Sequence, residues 1–545
     1  MNRIEVVTLA MTLLASSVLP AQQSVTTAAR VAQAVDGRVM RAHLEFLSSD
    51  LLEGRAPATR GGELAAKYIT AQFQRLGLEP AGDSGTFFHQ VPVISLTPSS
   101  TTSVTGTQPR GLTYRDDYVL WSMRNEPEVR AAGDVVFVGY GIVAPEYQWD
   151  DYRGVDVKNK IVLVLVNDPG LRDSTIFKGK ALTYYGRWTY KIEEAARQGA
   201  AGILLVHTTE SATYPWTTVT SSWTGAQVRL ESPPTSLKFA GWLTEGAATD
   251  LARRGGADLG QLMPAAARRD FRPVPLSAGI ETTIQSEIHR SATYNVIGRW
   301  PGQGRLANQA VLIGGHYDHL GVRAPVNGDS IYNGAEDNAS GTAAVLTAAE
   351  AFTRTGIHPG RSILFMAFTA EESGLIGSQA YASNPALPLK RLAAVLNMDV
   401  MNLYGRTRDI SALGTDQSSL GETFRRAARS ETLRVTVDQD ALIRGSFFRS
   451  DHFPFAKAGV PSLSLEGGND YIGKPEGWGQ QQRDEYTDQR YHQPSDEILP
   501  WFSMDGAVQQ VRVIVRTAVA VANGVSQPTW NPGSEFRAAG EARIR

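Results

Sequence analysis

Two histidines and five carboxylates in the second half of the chain stand where predicted strands or helices meet loops. In chain order they are His316, Asp318, Asp337, Glu371, Glu372, Asp399 and His492. Imidazole and carboxylate groups are ligands that zinc accepts, and one carboxylate can bridge two ions. Asp318 is close enough in sequence to His316 to accept the second ring N–H and fix the tautomer. This set predicts a metal site built without sulfur.

Each of these residues also has an ordinary interpretation. The pair Glu371–Glu372 suits the start of a surface helix, where acidic groups favour the N-terminal dipole. Asp337 suits an N-cap of the following helix. The neighbouring His319 has two interpretations, a contact to the metal ligands or an exposed side chain, and the second is favoured. The succession of metal-competent residues at four junctions favours the metal site for the set as a whole.

The predicted elements place these residues at one edge of a sheet. Apolar strands are predicted at 309–313, 362–368, 393–398 and 462–465, alternating with helices at 340–354, 375–381, 420–430 and 505–523. This alternation indicates an α/β sheet buried on both faces. Open α/β sheets bind ligands beyond the carboxyl ends of their strands, where these histidines and carboxylates fall.

The first half of the chain has a different pattern of predicted elements. Two amphipathic helices are predicted at 35–52 and 60–77, and the Ser-, Thr- and Pro-rich stretch 98–107 is predicted to be a loop. From about Gly133 to Pro273, short β-like runs form a β-rich block. Its segment 214–223, with Trp216 and Trp223, is either a lid or an ordinary folded loop, and the sequence favours neither.

The composition excludes several other kinds of site. The chain has 545 residues, with 53 Lys+Arg, 55 Asp+Glu and no cysteine. The lack of cysteine excludes disulfides, a catalytic thiol, iron–sulfur clusters and cysteine-ligated zinc. The near-neutral charge argues against a polybasic nucleic-acid binder, so we expect no nucleic-acid partner.

The first 21 residues predict a signal peptide. A short basic start at Arg3 precedes an apolar stretch over 6–18, and Ala21 offers a cleavage position. Glu5 weakens the basic start, and a buried N-terminal helix is the alternative. Because there is no cysteine for a lipid anchor and no later segment long enough to cross a membrane, we expect a periplasmic or secreted protein without a membrane anchor.

The motifs together resemble the di-zinc exopeptidase family that includes secreted bacterial aminopeptidases and glutamate carboxypeptidase. The matching segments are Gly315-His316-Tyr317-Asp318, Asp337-Asn338-Ala339-Ser340-Gly341, Ala370-Glu371-Glu372-Ser373-Gly374, Asn397-Met398-Asp399, Ser450-Asp451-His452-Phe453-Pro454-Phe455 and Tyr491-His492. The resemblance covers the second half of the chain, and Phe46–Arg55 resembles the N-terminal helices of the family. It implies an α/β fold with a mixed, mostly parallel sheet sandwiched by helices.

The resemblance also implies roles for the individual residues. His316 and Asp399 would hold one zinc ion, Glu372 and His492 the other, and Asp337 would bridge both. Glu371 would be the general base that takes a proton from a water between the metals, while Asp318 would orient His316. Tyr491 would donate a hydrogen bond to the tetrahedral oxyanion, and a packed tyrosine with a satisfied hydroxyl is an equal alternative. Asp451 and His452 would line the site without being ligands.

The block 133–273 resembles a protease-associated domain, less specifically than the second half resembles the peptidases. The predicted organisation is therefore a signal peptide at 1–21, the N-terminal part of the peptidase domain at 22–132, the inserted domain at 133–273, the catalytic domain at 274–525 and a polar tail at 526–545. The expected substrates are peptides, and the sequence does not indicate an oligomeric state.

The favoured function is an aminopeptidase with two zinc ions per chain. A carboxypeptidase of the glutamate carboxypeptidase type is the alternative among enzymes, kept open by Arg444 and Arg449, which are candidates for contacting an acidic C-terminus. A glutaminyl cyclase fits less well because it uses a single zinc. A non-catalytic receptor-like module on the same fold is the alternative from another class, and the intact Glu371 speaks against it.

Overall fold

The computed structural model describes residues 26–231 and 235–545, and the predicted signal peptide lies outside them. The chain divides into two compact units. The first comprises the described residues up to Val91 together with Ala292–Val437 and Arg449–Arg545, and the second comprises Pro92–Ser291 with Asp438–Phe448. In these described parts of the chain, no helix is both long and apolar enough to cross a membrane.

The first unit is built on a mixed, mostly parallel sheet of seven main strands. In chain order these are β1 (Val274–Trp300, whose last residues belong here), β2 (Ala310–His316), β3 (Ser362–Phe368), β4 (Leu392–Met398), β5 (Asp409–Leu413), β6 (Arg434–Thr436) and β7 (Ser462–Glu466). The spatial order is β6-β5-β7-β4-β2-β3-β1. Strands β7, β4, β2 and β3 are mutually parallel, β6 runs parallel to β5, and β1 and β5 pair antiparallel with their neighbours β3 and β7.

Helices cover both faces of this sheet, because its central strands are apolar on both sides. Val311 and Ile313 pack on one face in a cluster with residues of the helices Gly37–Leu47, Arg60–Arg75, Ser340–Thr355, Leu420–Ser430 and Met504–Asn523. Leu312 of the same strand packs on the other face, against Tyr381 and Phe455 of the helices Ile376–Ser383 and His452–Lys457. Since side chains alternate along a strand, this arrangement follows from the continuous apolar runs. The predicted α/β fold is confirmed.

The second unit is also built on paired strands. Its main strands, in spatial order, are the first part of β1, Glu128–Phe137, Ile161–Leu165, Gly202–His207, Phe239–Thr244 and Tyr118–Ser122. Helices Trp188–Arg197, Trp216–Trp223, Glu245–Arg254 and Leu259–Ala266 accompany it, and two apolar clusters form its core. This unit extends beyond the predicted limits 133–273 on both sides. Its likeness to a protease-associated domain stays a prediction.

Two segments of the second unit differ from the structure that the sequence predicts for them. Of the stretch predicted as a loop at 98–107, all but the last residue belongs to the strand Phe88–Gly106, whose Val104 and Thr102 are buried. The aromatic segment forms the helix Trp216–Trp223, and the ring of Trp223 stacks on that of Trp121 at 4.7 Å. Its tryptophans thus pack against the core of this unit, and a function as a lid stays a prediction.

The C-terminal segment, predicted as a polar tail at 526–545, is packed onto the first unit. It contains the helix Arg537–Ile544, and the side chains of Trp530 and Phe536 are buried. The indole of Trp530 donates a hydrogen bond of 3.0 Å to the carbonyl of Gly459. The polar residues of this segment lie mostly towards solvent, whereas the buried rings of Trp530 and Phe536 attach it to the first unit.

Candidate metal centre

Three neighbouring parallel strands end beside three of the five predicted ligands, at one edge of the first unit's sheet. His316 is the last residue of β2 and lies in register with Phe368 at the end of β3, which is followed by Glu371 and Glu372. On the other side of β2, β4 ends at Met398 directly before Asp399. The sequence prediction that these groups share the carboxyl edge agrees with the structure.

The segment Ala335–Ala339, which leads into the helix Ser340–Thr355, carries Asp337 to the same place. The side chain of Asn338 donates to the carbonyl of Met398 at 3.1 Å and accepts from the backbone N–H of Gly341 at 2.8 Å. A Cβ at Gly341 would lie 2.4 Å from the carbonyl of Met398, so only glycine lets this turn approach the end of β4 so closely. The first turn of the helix is therefore fixed against the strand that precedes Asp399.

The two carboxylate oxygens of Asp337 face two different histidines. Oδ1 lies 3.3 Å from Nε2 of His316, and Oδ2 lies 3.3 Å from Nε2 of His492. Each histidine also has a second carboxylate, because Oδ1 of Asp399 is 3.3 Å from His316 Nε2 and Oε2 of Glu372 is 3.1 Å from His492 Nε2. All five predicted ligands are thus brought together, with Asp337 between two imidazole–carboxylate pairs.

These separations fit bound metal ions. With Zn–N and Zn–O bonds of about 2.0–2.2 Å, two ligand atoms at a tetrahedral angle lie roughly 3.3 Å apart. The Nε2 of His492 is buried near two carboxylates and makes no hydrogen bond of acceptable geometry within the described residues, and neither does Oε1 of Glu372. Buried polar atoms without hydrogen bonds at a point where nitrogen and oxygen atoms converge are the pattern of a metal site.

The electrostatics of the cluster also favour cations. Burial raises the pKa of Glu371 well above its usual value, opposed by His316 and reinforced by the neighbouring Glu372 and Asp399. Burial alone would lower the pKa of His316, but the carboxylates of Glu371 and Asp399 raise it well above its usual value. Burial likewise raises the pKa of Asp318 to about 6. Negative charge therefore exceeds what the imidazoles neutralise, and a divalent cation would relieve the repulsion.

The residues of the catalytic prediction have different surroundings. Glu371 Oε2 lies 4.0 Å from His316 Nε2. Tyr491 stacks on the ring of His492 with 3.9 Å between centroids, and its side chain is partly exposed at the site. Asp318 is fully buried, and its carboxylate accepts from the backbone N–H groups of Glu371 (3.1 Å) and Glu372 (3.4 Å).

The closest acceptor of the His316 ring is the backbone carbonyl of Asp318 rather than its carboxylate. Nδ1 of His316 is 3.1 Å from that carbonyl oxygen and 3.8 Å from the carboxylate Oδ1. Asp318 thus contacts the ring of His316, as expected, but through its backbone carbonyl and not through its side chain. The carboxylate instead fixes the turn that carries Glu371 and Glu372.

Sequence reasoning assigned no role at the site to several residues that support it. The hydroxyl of Ser450 donates to Oδ2 of Asp399 at 2.6 Å. Asp496 accepts from the backbone N–H groups of Glu336 (3.0 Å) and Asp337 (3.1 Å). Ser450 begins the motif that runs to Phe455, so its type and position indicate a place near the site, whereas nothing in the sequence marks Asp496.

Two largely buried arginine side chains also support the residues around the site. Arg490 donates to the carboxylate of Glu336, which is also bonded by the hydroxyl of Tyr404 at 2.8 Å. Arg55 is fully buried and donates to backbone carbonyls of Leu47, Tyr317, Asn333 and Gly334. The loop of His492 and the turn of Asp337 are thus held by charged partners from elsewhere in the unit.

Three further residues from the sequence analysis are buried at or near the site. The ring of His319, for which an exposed position was favoured, is fully buried with Nδ1 2.7 Å from Oε1 of Glu372. Asp451 and His452 are buried as well, and burial raises the pKa of Asp451 to about 8. The exposed interpretation of His319 is therefore wrong.

The fold and the cluster define a class of α/β protein with a histidine–carboxylate metal site at the carboxyl edge of its sheet. Residues 295–516, which hold all five predicted ligands, match the model of Peptidase family M28. The resemblance found in the motifs is confirmed.

Several individual proteins are similar to this chain or to part of it. Leupeptin-inactivating enzyme 1 of Streptomyces exfoliatus is 32% identical over 229 residues, which are 41% of this chain and 47% of that protein. Aminopeptidase YwaD of Bacillus subtilis (strain 168) is 29% identical over 40% of this chain and 43% of its own length. This chain therefore spans less than half the length of these relatives. An aminopeptidase structure from Aneurinibacillus sp. strain AM-1 aligns with a TM-score of 0.45 and 20% identity over 93% of this chain and 97% of its own.

Proposed function

We propose that this chain is a zinc-dependent aminopeptidase that removes N-terminal residues from peptides, with two ions per chain. The observation that carries the proposal is the bridging position of Asp337, whose two oxygens each face a histidine that has its own second carboxylate. The names of the relatives support the activity, because they include aminopeptidases of bacterial and fungal origin. Export stays a prediction from residues 1–21.

The residues of the site divide into two sets of metal ligands and one general base. His316, Asp399 and Asp337 would hold one ion, and His492, Glu372 and Asp337 the other. When bound, the ions supply Lewis acidity, which polarises a carbonyl and makes water more acidic.

Glu371 would take a proton from the attacking water at its carboxylate and deliver it to the leaving amine. Its side chain is largely buried beside His316 and lies outside both holding sets. Because burial raises its pKa, this carboxylate is a stronger base than an exposed glutamate. Tyr491, which stacks on His492 and is partly exposed, would donate to the developing oxyanion.

The direct test is hydrolysis of aminoacyl-p-nitroanilides by the purified protein. Leucyl-p-nitroanilide is the first substrate to try, because a probable leucine aminopeptidase is among the relatives. We expect turnover that is lost on chelation and restored by zinc, and no turnover of the N-acetylated substrate. Hydrolysis of a peptide only from its C-terminus would favour the carboxypeptidase, and no hydrolysis with zinc bound would contradict an exopeptidase.

Glu371→Gln should separate the proton carrier from the metal ligands. We expect kcat to fall by about 10²- to 10⁴-fold, the usual contribution of a general base, while zinc content stays that of the wild type. The matched control is Glu63→Gln on the exposed face of the helix Arg60–Arg75, which should leave both unchanged. Retained turnover in Glu371→Gln would remove this residue from the role.

A further inference from the structure

The connection between β2 and the helix Ser340–Thr355 contains a β-hairpin that contributes no predicted ligand to the metal centre. Its strands are Gly321–Val326 and Asp329–Tyr332, and within the described residues they pair only with each other. Between them, Asn327 and Gly328 both have positive φ angles, of 54° and 93°, as a two-residue hairpin turn requires. Each strand therefore keeps one edge that no other strand covers.

This hairpin lies at the same edge of the sheet as the predicted ligands. It begins five residues after His316 and ends five residues before Asp337, so both of its strands connect directly to ligand-bearing segments. Because β2 ends and the following helix begins at the carboxyl edge, the hairpin extends from that edge, where open α/β sheets bind their ligands. A substrate held at the metal centre therefore lies next to the start of the hairpin.

The base of the hairpin is fixed by close packing of backbone against backbone. A Cβ at Gly54 would lie 2.4 Å from the carbonyl oxygen of Tyr332 and 2.8 Å from that of Gly321. The turn Asp50–Arg55 therefore lies directly against both strands where they begin and end. Tyr332 is also buried, so the hairpin has a rigid attachment to the first unit.

The two arms beyond this base are exposed to solvent. All residues from 322 to 329 are exposed, among them the apolar Val322 at 60% and Val326 at 39%. An exposed strand edge is a surface to which an extended peptide can add as a further strand. With a rise of about 3.3 Å per residue, the strand Gly321–Val326 spans roughly 16 Å, the length of an extended peptide of five or six residues.

The turn of the hairpin lies near the loop that carries His492. Burial raises the pKa of Glu497, five residues after His492, and the carboxylates of Asp329 and Asp50 raise it further. Charges act on a pKa in this way only when they are close, so the arms of the hairpin and the loop of His492 are neighbours. The hairpin and this loop thus border the same side of the metal centre.

We propose that the hairpin 321–332 binds the peptide substrate beyond the cleaved bond, with the extended substrate chain added as a strand to an exposed edge of the hairpin. The inference rests on the proposed function, because it needs the N-terminal residue of a peptide held at the metal centre. Main-chain hydrogen bonds make this contact independent of most substrate side chains, while Val322 and Val326 favour apolar ones. The contact should favour substrates of three or more residues over aminoacyl-p-nitroanilides.

Substrate length tests the contact in the wild-type protein with zinc bound. The substrates are the amides of Leu-Ala, Leu-Ala-Ala and Leu-Ala-Ala-Ala, so that no C-terminal carboxylate changes place along the series. We expect KM to fall by about 5- to 30-fold from the dipeptide amide to the tetrapeptide amide, the equivalent of one or two net hydrogen bonds, with kcat nearly constant. Equal KM values across the series would overturn the inference.

Methylation of single backbone nitrogens of the tetrapeptide amide tests whether the substrate binds as a strand. Since only every second residue of a strand bonds to the neighbouring strand on a given side, methylation at one of the third and fourth residues should remove most of the gain in KM. Methylation at the other of these two residues is the matched control and should have little effect. Equal effects at both positions would contradict the addition of a strand.

A shortened hairpin tests the same contact from the side of the protein. Val322 and Ile331 are direct partners in the register, so deletion of residues 323–326 and 329–330 lets Asn327-Gly328 close the hairpin at that pair. We expect the ratio of kcat/KM for the tetrapeptide amide to kcat/KM for leucyl-p-nitroanilide to fall by about 5- to 30-fold. An unchanged ratio, with the circular dichroism and zinc content of the wild type, would overturn the inference.

A point variant covers the case in which the shortened hairpin does not fold. Val322→Asp places a charge on the exposed arm and should lower the same ratio of kcat/KM values. Its matched control is Val525→Asp, at a valine of the first unit that is 81% exposed outside the hairpin, and this variant should leave the ratio unchanged. Equal ratios in the two variants would contradict a contact of Val322 with the substrate.

These measurements keep the two proposals apart. No hydrolysis of any of these substrates with zinc bound would contradict the proposed function and, with it, the binding of a substrate by the hairpin. Hydrolysis of all of them with the same KM would contradict only the role of the hairpin.

Discussion

The hydroxyl of Ser450 lies between two side chains at the metal centre. It donates to Oδ2 of Asp399 at 2.6 Å and accepts from the side-chain amide of Asn397 at 2.7 Å. Because Oδ1 of Asp399 faces His316, the serine holds the oxygen that does not face the histidine. Asp399 and Glu372 thus share one arrangement, with a buried polar group on the outer oxygen and a histidine at the inner one.

Ser450→Ala should weaken zinc binding at the position of His316 by about 10-fold or more, since the outer oxygen of Asp399 loses its donor. Zinc titration of the stripped protein measures this change. Ser462→Ala removes another buried serine of the same unit, which donates to the carbonyl of Val460 at 2.8 Å, and should leave zinc affinity unchanged. Equal affinities in the two variants would speak against a role for Ser450.

The predicted ligands could be found from the sequence because their type and place at strand ends carry the signal. Their supporting residues could not be found in this way. Asp496 supports Asp337 across 159 positions of sequence, and neither residue type nor spacing marks it. His319 was visible beside His316, but its burial depends on Gly334 and Glu372, which only the fold brings near.

At the scale of elements, the loop that carries His492 is tied to the turn that carries Asp337. Arg490, two residues before His492, pairs with Glu336, the residue before Asp337, and both side chains are largely buried. Asp496, four residues after His492, accepts from the backbone of the same turn. His492 and Asp337 are predicted to share one ion, and the contacts of Arg490 and Asp496 join the two segments that carry them.

Removing Arg490 should loosen this connection. Arg490→Met leaves the buried carboxylate of Glu336 without its cation, and loss of one partner from a buried pair costs roughly 3 kcal/mol of unfolding free energy. Urea denaturation measures this loss, and zinc titration should show weaker binding at His492. The double variant Glu336→Gln with Arg490→Met should recover part of the stability.

The control for this pair is Arg537→Met, because Arg537 pairs with Glu541 on the surface. Exposed ion pairs contribute about 0–1 kcal/mol, so this variant should unfold at nearly the wild-type urea concentration. A destabilisation of Arg490→Met no larger than that of Arg537→Met would contradict a structural role for the buried pair.

Elements with one dominant pattern were predictable, and those with mixed signals were not. The uninterrupted apolar run of β3 was predicted with its observed bounds, as was the helix Leu420–Ser430. The segment 98–107 contains Ser, Thr and Pro, which favour loops, but its β-branched residues also suit strands. Pairing decided the outcome there, because the buried hydroxyl of Thr102 bonds that of Thr282 at 2.9 Å.

At the scale of the molecule, the centre concentrates buried acidic groups in the first unit. Burial and the neighbouring carboxylates raise the pKa of Glu371 well above its usual value, and burial raises those of Asp318 and Asp496 to about 6. Such groups repel one another without a cation, and the chain has no disulfide that could hold the loops against this repulsion. Metal binding should therefore contribute to folding stability.

Chelation should lower the melting temperature. An ion that binds only the folded state at about 1,000 times its Kd adds about 4 kcal/mol, which in a unit of this size corresponds to roughly 5–10 °C. Differential scanning calorimetry of the protein with zinc and after removal of zinc measures the shift. His492→Ala should show a smaller shift than the wild type. An unchanged melting temperature after complete metal removal would count against this contribution.

The buried guanidinium of Arg55 has a consequence for how the chain can be divided and how it folds. Its carbonyl partners at Tyr317, Asn333 and Gly334 lie 262 to 279 positions further along, beyond the whole of Pro92–Ser291. Closing so long a loop costs chain entropy before any contact forms, so these bonds belong to a late folding step. A polypeptide cut to 295–516 would keep every predicted ligand but lose Arg55, which bonds the backbone near His316 and Asp337. The stretch that matches the family model is therefore shorter than the stretch that builds the candidate metal centre.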